Sequence, residues 1–319
     1  MKLVFCGTPQ FAVPTLAALL AAGHEIALAA TQPDRPVGRS QQLTAPPVKV
    51  YALEHCIAVT QPEKIRDNAD FRGQLEAIAP DAIVVVAYGR IIPAWMLALP
   101  RLGCINLHAS LLPKYRGAAP IQWAVARGET VTGNTTMLLE EGLDTGPILL
   151  QQALVIVPEQ TAADLFLSLA EAGAPLVVET LARLAVGDLK PTAQNHAGAT
   201  LAPLLRREDG RMDFVAHTSV ELHNRWRGFQ PWPGAFTMLD GKKLIVHRMG
   251  CGAGGAFAFS SSAQDVEPGR IHVESHRLFV GCAQNTWLEL LEVQLEGRKR
   301  LPAAEFLRGT ALPADARLG

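Results

Sequence analysis

Asn106 and His108 stand two residues apart at the end of an apolar run, Cys104-Ile105-Asn106-Leu107-His108. On a strand that spacing puts both side chains on one face, so a carboxamide and an imidazole address the same space. A carboxamide N–H can donate to a developing oxyanion, and an imidazole can donate to it or carry a proton near neutral pH. The pair suits acyl chemistry. Ser110-Leu111-Leu112-Pro113 follows, and Pro113, with no N–H and a restraint on its predecessor, ends the strand in an open turn. A third polar group is needed to orient the imidazole. Asp144 is the best candidate, in Glu140-Glu141-Gly142-Leu143-Asp144-Thr145-Gly146-Pro147, where two glycines permit a tight loop.

The order of these elements, Asn106-Leu107-His108, then Ser110-Leu111-Leu112-Pro113, then Gly142-Leu143-Asp144-Thr145-Gly146, resembles the signature of the folate-dependent formyltransferases. These enzymes move a formyl group from 10-formyltetrahydrofolate to an amine. The resemblance implies that Asn106, His108 and Asp144 are catalytic, that Ser110, Leu111, Leu112 and Pro113 contact the folate, and that no metal takes part. Two flanking stretches, Phe5-Cys6-Gly7-Thr8-Pro9-Gln10-Phe11-Ala12 and Thr31-Gln32-Pro33-Asp34-Arg35-Pro36-Val37-Gly38-Arg39, look like the branch of the family that acts on tRNA. So does Phe229-Gln230-Pro231-Trp232-Pro233-Gly234-Ala235. That branch implies a methionyl initiator tRNA as acceptor, a folate donor, a monomer and a cytoplasmic setting. The sequence departs from it in two places: Ser40-Gln41-Gln42 stands where lysines are common, and Leu201-Ala202-Pro203-Leu204-Leu205 replaces a more polar stretch. Lys114-Tyr115-Arg116-Gly117 also resembles family members that act on an amino sugar nucleotide, and a non-enzymatic RNA-binding module is a third reading. The residue 32–39 loop opposes the former, and retention of the catalytic trio opposes the latter.

The elements that must position these groups follow from the apolar pattern. Residues 2–6 read as a buried strand, 13–22 as a helix ended by Gly23 and 26–31 as the next strand. Residues 81–87, with Ile83-Val84-Val85-Val86, read as a fully buried parallel strand. Strands alternating with helices predict an α/β, doubly wound parallel sheet, Rossmann-like, with ligands bound outside the carboxyl ends of its strands. The turn after residue 86 and the turn after His108 then share one crevice, which makes Val86, Ala87, Tyr88 and Gly89 candidates for lining an apolar slot for a pteridine ring. Residues 161–186 read as a helical hairpin broken near Gly173 and Pro175.

The expected organisation is a catalytic domain over 1–188, a linker over 189–206 and a second domain over 207–319. In the second domain a helix is expected at 219–228. Short strands at 235–239, 243–249, 269–274, 277–282 and 286–293 suggest a small β-barrel; the resemblance implies an OB-like fold that binds tRNA. Charge does not advertise a nucleic-acid partner: the net charge is −1, and residues 206–319 hold 15 basic against 13 acidic residues. Residues 34–44 make a poor core element, and a mobile loop is expected there, with Arg35 and Arg39 as the charges able to meet tRNA phosphates.

With 319 residues, 49% of them hydrophobic, two sizeable cores are expected. Five widely spaced cysteines, Cys6, Cys56, Cys104, Cys251 and Cys282, with no C-x-x-C pair, read as reduced, buried small hydrophobes. No run of 18 uninterrupted apolar residues occurs, so no membrane span is expected. Gly250-Cys251-Gly252-Ala253-Gly254-Gly255 fits a dinucleotide-loop spacing but precedes no good helix and reads as a flexible loop. His272 and His276 lack partner ligands, and Leu165, Leu169 and Leu176 read as helix core.

Overall fold

The computed structural model describes all residues except 39–40, 253–256, 258–265 and 314. From the N-terminus the elements are β1 Lys2–Gly7, α1 Val13–Ala21, β2 Glu25–Ala30, β3 Arg35–Val37, β4 Gln42–Thr44, α2 Pro47–Glu54, β5 Val59–Thr60, α3 Ala69–Ile78, β6 Ala82–Val86 and α4 Ala94–Leu97. They continue with β7 Cys104–His108, α5 Pro120–Ala126, β8 Val131–Leu138, β9 Ile148–Val155 and α6 Ala162–Ala185. After these come α7 Ser219–Gly228, β10 Ala235–Leu239, β11 Lys242–Gly250, β12 Ile271–Glu274, β13 Arg277–Cys282, β14 Thr286–Leu295, β15 Leu301–Pro302 and α8 Ala303–Gly309. Two compact units result. One comprises Met1–Ile121, Val131–Ile156 and Asp164–Leu204; the other comprises Gln122–Thr130, Val157–Ala163 and Leu205–Gly319.

The first unit is built on a seven-stranded sheet of order β5-β2-β1-β6-β7-β8-β9. The strands from β5 to β7 are parallel, and β8 and β9 complete the sheet antiparallel. Every residue of β6 and β7 is buried, as expected of strands covered on both faces. The chain leaves β1 for β2 on one side and returns to β6 on the other. That reversal puts a topological switch point at the carboxyl ends of β1 and β6, with the end of β7 next in line. Residues 34–44, expected to form a mobile loop, instead contain the antiparallel hairpin β3–β4, with Arg35 opposite Thr44. Its root is fixed from outside: Lys49 Nζ donates to both oxygens of Asp34, at 2.9 and 2.8 Å, and Gln61 Nε2 donates to Asp34 at 2.8 Å. These bonds, Lys49 first, hold the Asp34 carboxyl below its ordinary range.

The expected helical hairpin at 161–186 is one continuous helix, α6, with Pro175 inside it. A proline deletes one helix bond and tends to kink the chain, but β8 holds α6 on both sides of the break. Asn134 Nδ2 donates to the Leu169 carbonyl at 2.8 Å, and the Thr136 and Thr180 hydroxyls meet at 2.8 Å. Gly173 allows the approach, since a Cβ there would lie 2.6 Å from Leu107. By length and composition alone α6 could cross a membrane; here Leu165, Leu169 and Leu176 are buried in protein.

In the second unit, α7 begins with a reciprocal cap. The Glu221 N–H donates to the Thr218 hydroxyl and the Thr218 N–H to the Glu221 carboxylate. Residues 122–130 pack with it: Trp123 meets Phe229 edge to face, and a Cβ on Gly228 would lie 2.6 Å from Gln122 O and Ala126 N. The sheet is antiparallel, of order β10-β11-β14-β13-β12, with β15 on β14. The chain end joins its two edges, with Arg317 bridged to Arg270 and Leu318 to Leu239. Leu244, Val246, Val280, Leu288, Leu290 and Val293 form the core. The five cysteines are free. Cys6, Cys104 and Cys282 are buried as expected, and burial pushes the Cys104 and Cys282 thiols up to about 12. Cys56, just past the end of α2 with φ 56°, is exposed and Cys251 is half-buried, against the expectation of burial for all five. Residues 253–255 of the Gly250 to Gly255 spacing lie outside the described residues. Among the described residues no three His, Cys, Asp or Glu side chains group as metal ligands.

Candidate active site

β7 delivers Asn106 and His108 to its carboxyl end, between β6 and β8. Asn106 pairs with Val85 on one side and Met137 on the other, and His108 lies opposite Thr135. Both side chains are largely buried, Asn106 at 9% and His108 at 6% exposure. No side-chain hydrogen bond engages the Asn106 carboxamide among the described residues, so its N–H groups are available to a ligand. His108 Nε2 lies 2.9 Å from the Tyr115 carbonyl. A carbonyl can only accept, so Nε2 carries the hydrogen. Nδ1 then faces the Asp144 carboxylate at 3.8 Å, beyond a direct hydrogen bond but close enough to stabilise an imidazolium. The tautomer is therefore set by the Tyr115 carbonyl, where the sequence pointed to Asp144.

The structure brings Asp144 to the pair through the loop between β8 and β9. Its Oδ2 accepts the Gly117 N–H at 2.8 Å. Gly146 closes the loop so tightly that a Cβ there would fall 1.8 Å from the Leu138 carbonyl oxygen. Asp144, Tyr115 and Ala87 hold φ of 51°, 61° and 48°. This left-handed backbone is unfavourable for residues with a Cβ and persists where surrounding contacts enforce it, as it does at functional sites.

The candidate folate residues lie in the two neighbouring turns. In the turn after β7, Ser110 and Leu112 are buried while Leu111 and Pro113 are partly exposed. The Ser110 hydroxyl donates to Lys114 O at 2.6 Å. The Thr135 hydroxyl donates to Ser110 O at 2.6 Å and accepts the Leu112 N–H at 3.1 Å. After β6, Ala87 and Gly89 are exposed, whereas Val86 and the Tyr88 ring are buried. Tyr88 packs among Val4, Cys6, Leu28 and Met96, so toward the crevice it offers backbone alone. Its phenol is pushed up by burial first, with Cys6 adding to the shift. The Tyr88 carbonyl accepts from the Thr8 hydroxyl at 3.3 Å and from Gln32 Nε2 at 3.0 Å, which ties together the ends of β1, β2 and β6. Arg35 is exposed on β3; Arg39 lies outside the described residues.

Several residues that shape the site escaped the sequence reading. Thr135 and Gln151 hold the turn after β7, with Gln151 Nε2 donating to the Leu112 carbonyl and to Thr135 Oγ1, both at 2.9 Å. Thr200 accepts the Tyr115 N–H at 2.8 Å on its hydroxyl and the Arg116 N–H at 2.8 Å on its carbonyl. Gln194 bonds the Asp144 loop. Thr200 and Gln194 come from the stretch that composition marked as a linker, and no periodicity signals such contacts.

Comparison with known proteins decides the family. The profile of the family described as "Formyl transferase" matches residues 1–181, and that of "Formyl transferase, C-terminal domain" matches residues 204–311. The chain belongs to the formyl transferase family. A relative from Acidobacterium capsulatum named methionyl-tRNA formyltransferase is 63% identical over 319 residues, covering 100% of each chain. One of the same name from Koribacter versatilis is 56% identical over 320 residues, covering 100% of this chain and 99% of its own. Among solved structures, the sugar 3N-formyl transferase WlaRD, determined in the presence of dTDP and 5-N-formyl-THF, superposes with a TM-score of 0.61 at 17% identity. It covers 94% of this chain and 99% of its own. Membership of this formyl transferase family accounts for a parallel-sheet first unit followed by an antiparallel second one.

Proposed function

We propose that the chain transfers the formyl group of 10-formyltetrahydrofolate to the free α-amino group of methionyl initiator tRNA, acting as a monomer in the cytoplasm. The observation that carries the reading is the geometry at the end of β7. An unengaged carboxamide, Asn106, lies beside an imidazole fixed at Nε2 and facing a carboxylate at Nδ1, in a chain whose full-length relatives bear that name. The neutral amine attacks the formyl carbon, and the carbonyl oxygen becomes an oxyanion to which Asn106 donates. His108 takes the amine proton at Nδ1, directly or through one water. The resulting imidazolium is stabilised by Asp144 and can return the proton as the folate nitrogen leaves. Residues 110–113 and 86–89 are assigned to the donor. Arg35, exposed on β3, and Arg39 are assigned to phosphates near the acceptor end.

The second unit, whose edges are joined by residues 317 and 318, is read as an OB-like barrel that holds the tRNA backbone, and the working division is 1–188, 189–206 and 207–319. The test supplies 10-formyltetrahydrofolate with methionyl initiator tRNA, methionyl elongator tRNA or an amino sugar nucleotide. Transfer to the initiator species well above the other two is expected. Preferential transfer to the sugar, or none to any acceptor, overturns the proposal.

A further inference from the structure

Asp144 is held at the site twice, by its carboxylate and by its backbone. The carboxylate accepts the Gly117 N–H at 2.8 Å. The carbonyls of Asp144 and Gly146 accept from Gln194 Nε2 at 2.8 and 2.7 Å. The other end of that carboxamide is also taken, since Gln194 Oε1 accepts from Arg116 Nη2 at 2.6 Å and from Arg116 Nε at 3.2 Å. Arg116 precedes Gly117 in the chain, so the contacts close a ring: Gly117 N–H, Asp144, Gln194 and the Arg116 guanidinium. Gln194 and Arg116 are 6% and 7% exposed, so water competes little for these bonds. Arg116 also lies 3.1 Å from His196 Nδ1, and among the described residues no carboxylate pairs with it. A cation buried against neutral partners is unfavourable, and its presence here fits a role in aiming Gln194. Asp144 requires such a hold, because its φ of 51° is one that a residue with a Cβ leaves unless it is constrained.

We propose that Gln194, anchored by Arg116, is a positioning residue that fixes Asp144 against His108. The inference rests on the assignment of Asp144 to formyl transfer. Two substitutions test it. Gln194→Glu keeps the size and the link to Arg116 but turns a carboxylate oxygen toward the two carbonyls; Gln194→Met keeps the volume and removes both ends of the tie. Both should lower kcat by about tenfold to a hundredfold, the effect of a displacement near 1 Å. KM for the folate and for charged tRNA should stay within about twofold of wild type. In a ¹H–¹⁵N spectrum of the full chain, the Gly117 amide resonance should move toward that of an amide with no carboxylate acceptor. Gln194→Glu guards against a folding defect, and its melting temperature is to be recorded alongside. A kcat within about twofold of wild type, or a Gly117 resonance that does not move, overturns the inference. Asp144→Asn run in parallel separates the two claims. Full activity in that variant sinks the role given to Asp144, while the Gly117 resonance still reports whether Gln194 sets the loop.

Discussion

Thr135→Val removes one buried hydroxyl and leaves the side-chain shape nearly unchanged. Thr135 is fully buried on β8, opposite His108, and its hydroxyl engages the turn at residues 110–113 from below. It donates to Ser110 O at 2.6 Å and accepts from Leu112 N at 3.1 Å and Gln151 Nε2 at 2.9 Å. In the valine variant the Ser110 carbonyl and the Leu112 amide both lose a buried partner. At about 1–3 kcal/mol for each of the two groups left unsatisfied, the loss is about 2–6 kcal/mol. If all of it entered global unfolding, the melting temperature would fall by about 5–15 °C. Any part relieved by letting the turn move reappears as weaker donor binding, about tenfold for each 1.4 kcal/mol. Calorimetric melting together with titration of a formyltetrahydrofolate analogue measures both shares. Thr135→Ser restores the hydroxyl without the methyl and should recover most of the donor affinity. A valine variant that melts with wild type and binds the analogue as tightly would refute the claim that this hydroxyl holds the donor turn.

Arg35→Ala and Arg39→Ala should each raise KM for charged tRNA and reduce its salt dependence by about one unit of slope, with the donor dissociation constant unchanged; a loss confined to the folate terms would move the hairpin to the donor side. His223 on α7 is 6% exposed, and its pKa is lowered by burial first, with Glu159 opposing and Arg227 adding to the shift. Its folded pKa is thus below the unfolded value near 6.5, so the stability it contributes is full above about pH 6.5 and is lost as the pH falls through the folded pKa. His223→Gln should flatten the fall in melting temperature between about pH 7 and about pH 5, and parallel profiles for the two proteins would show that His223 plays no part.

The convergence of Asn106, His108 and Asp144 was legible because strand alternation and glycine spacing constrain where their side chains point. Strand β6 was legible from the uninterrupted β-branched run over residues 83–86. The supports were not. Thr135, Gln151, Gln194 and Thr200 act by bonding backbone carbonyls and amides, for which many polar residues would serve, and Gln194 and Asp144 lie 50 residues apart. The continuous α6 defeated a local rule, since Pro175 breaks isolated helices and contacts from β8 hold the chain on both sides of it. The β3–β4 hairpin was missed because each strand is three residues long, too short for a periodic signal, and its root is fixed by Lys49 and Gln61 from elsewhere in the chain.

In the proposed mechanism the carboxamide of Asn106 stabilises the oxyanion formed as formyl passes to the methionyl amine. Single-turnover transfer from 10-formyltetrahydrofolate to methionyl initiator tRNA, at saturating donor and acceptor, tests it in Asn106→Ala against wild type. Loss of one oxyanion donor predicts a rate lower by about a hundredfold to a thousandfold, with donor affinity near normal. A rate equal to wild type would show that Asn106 does not stabilise the oxyanion.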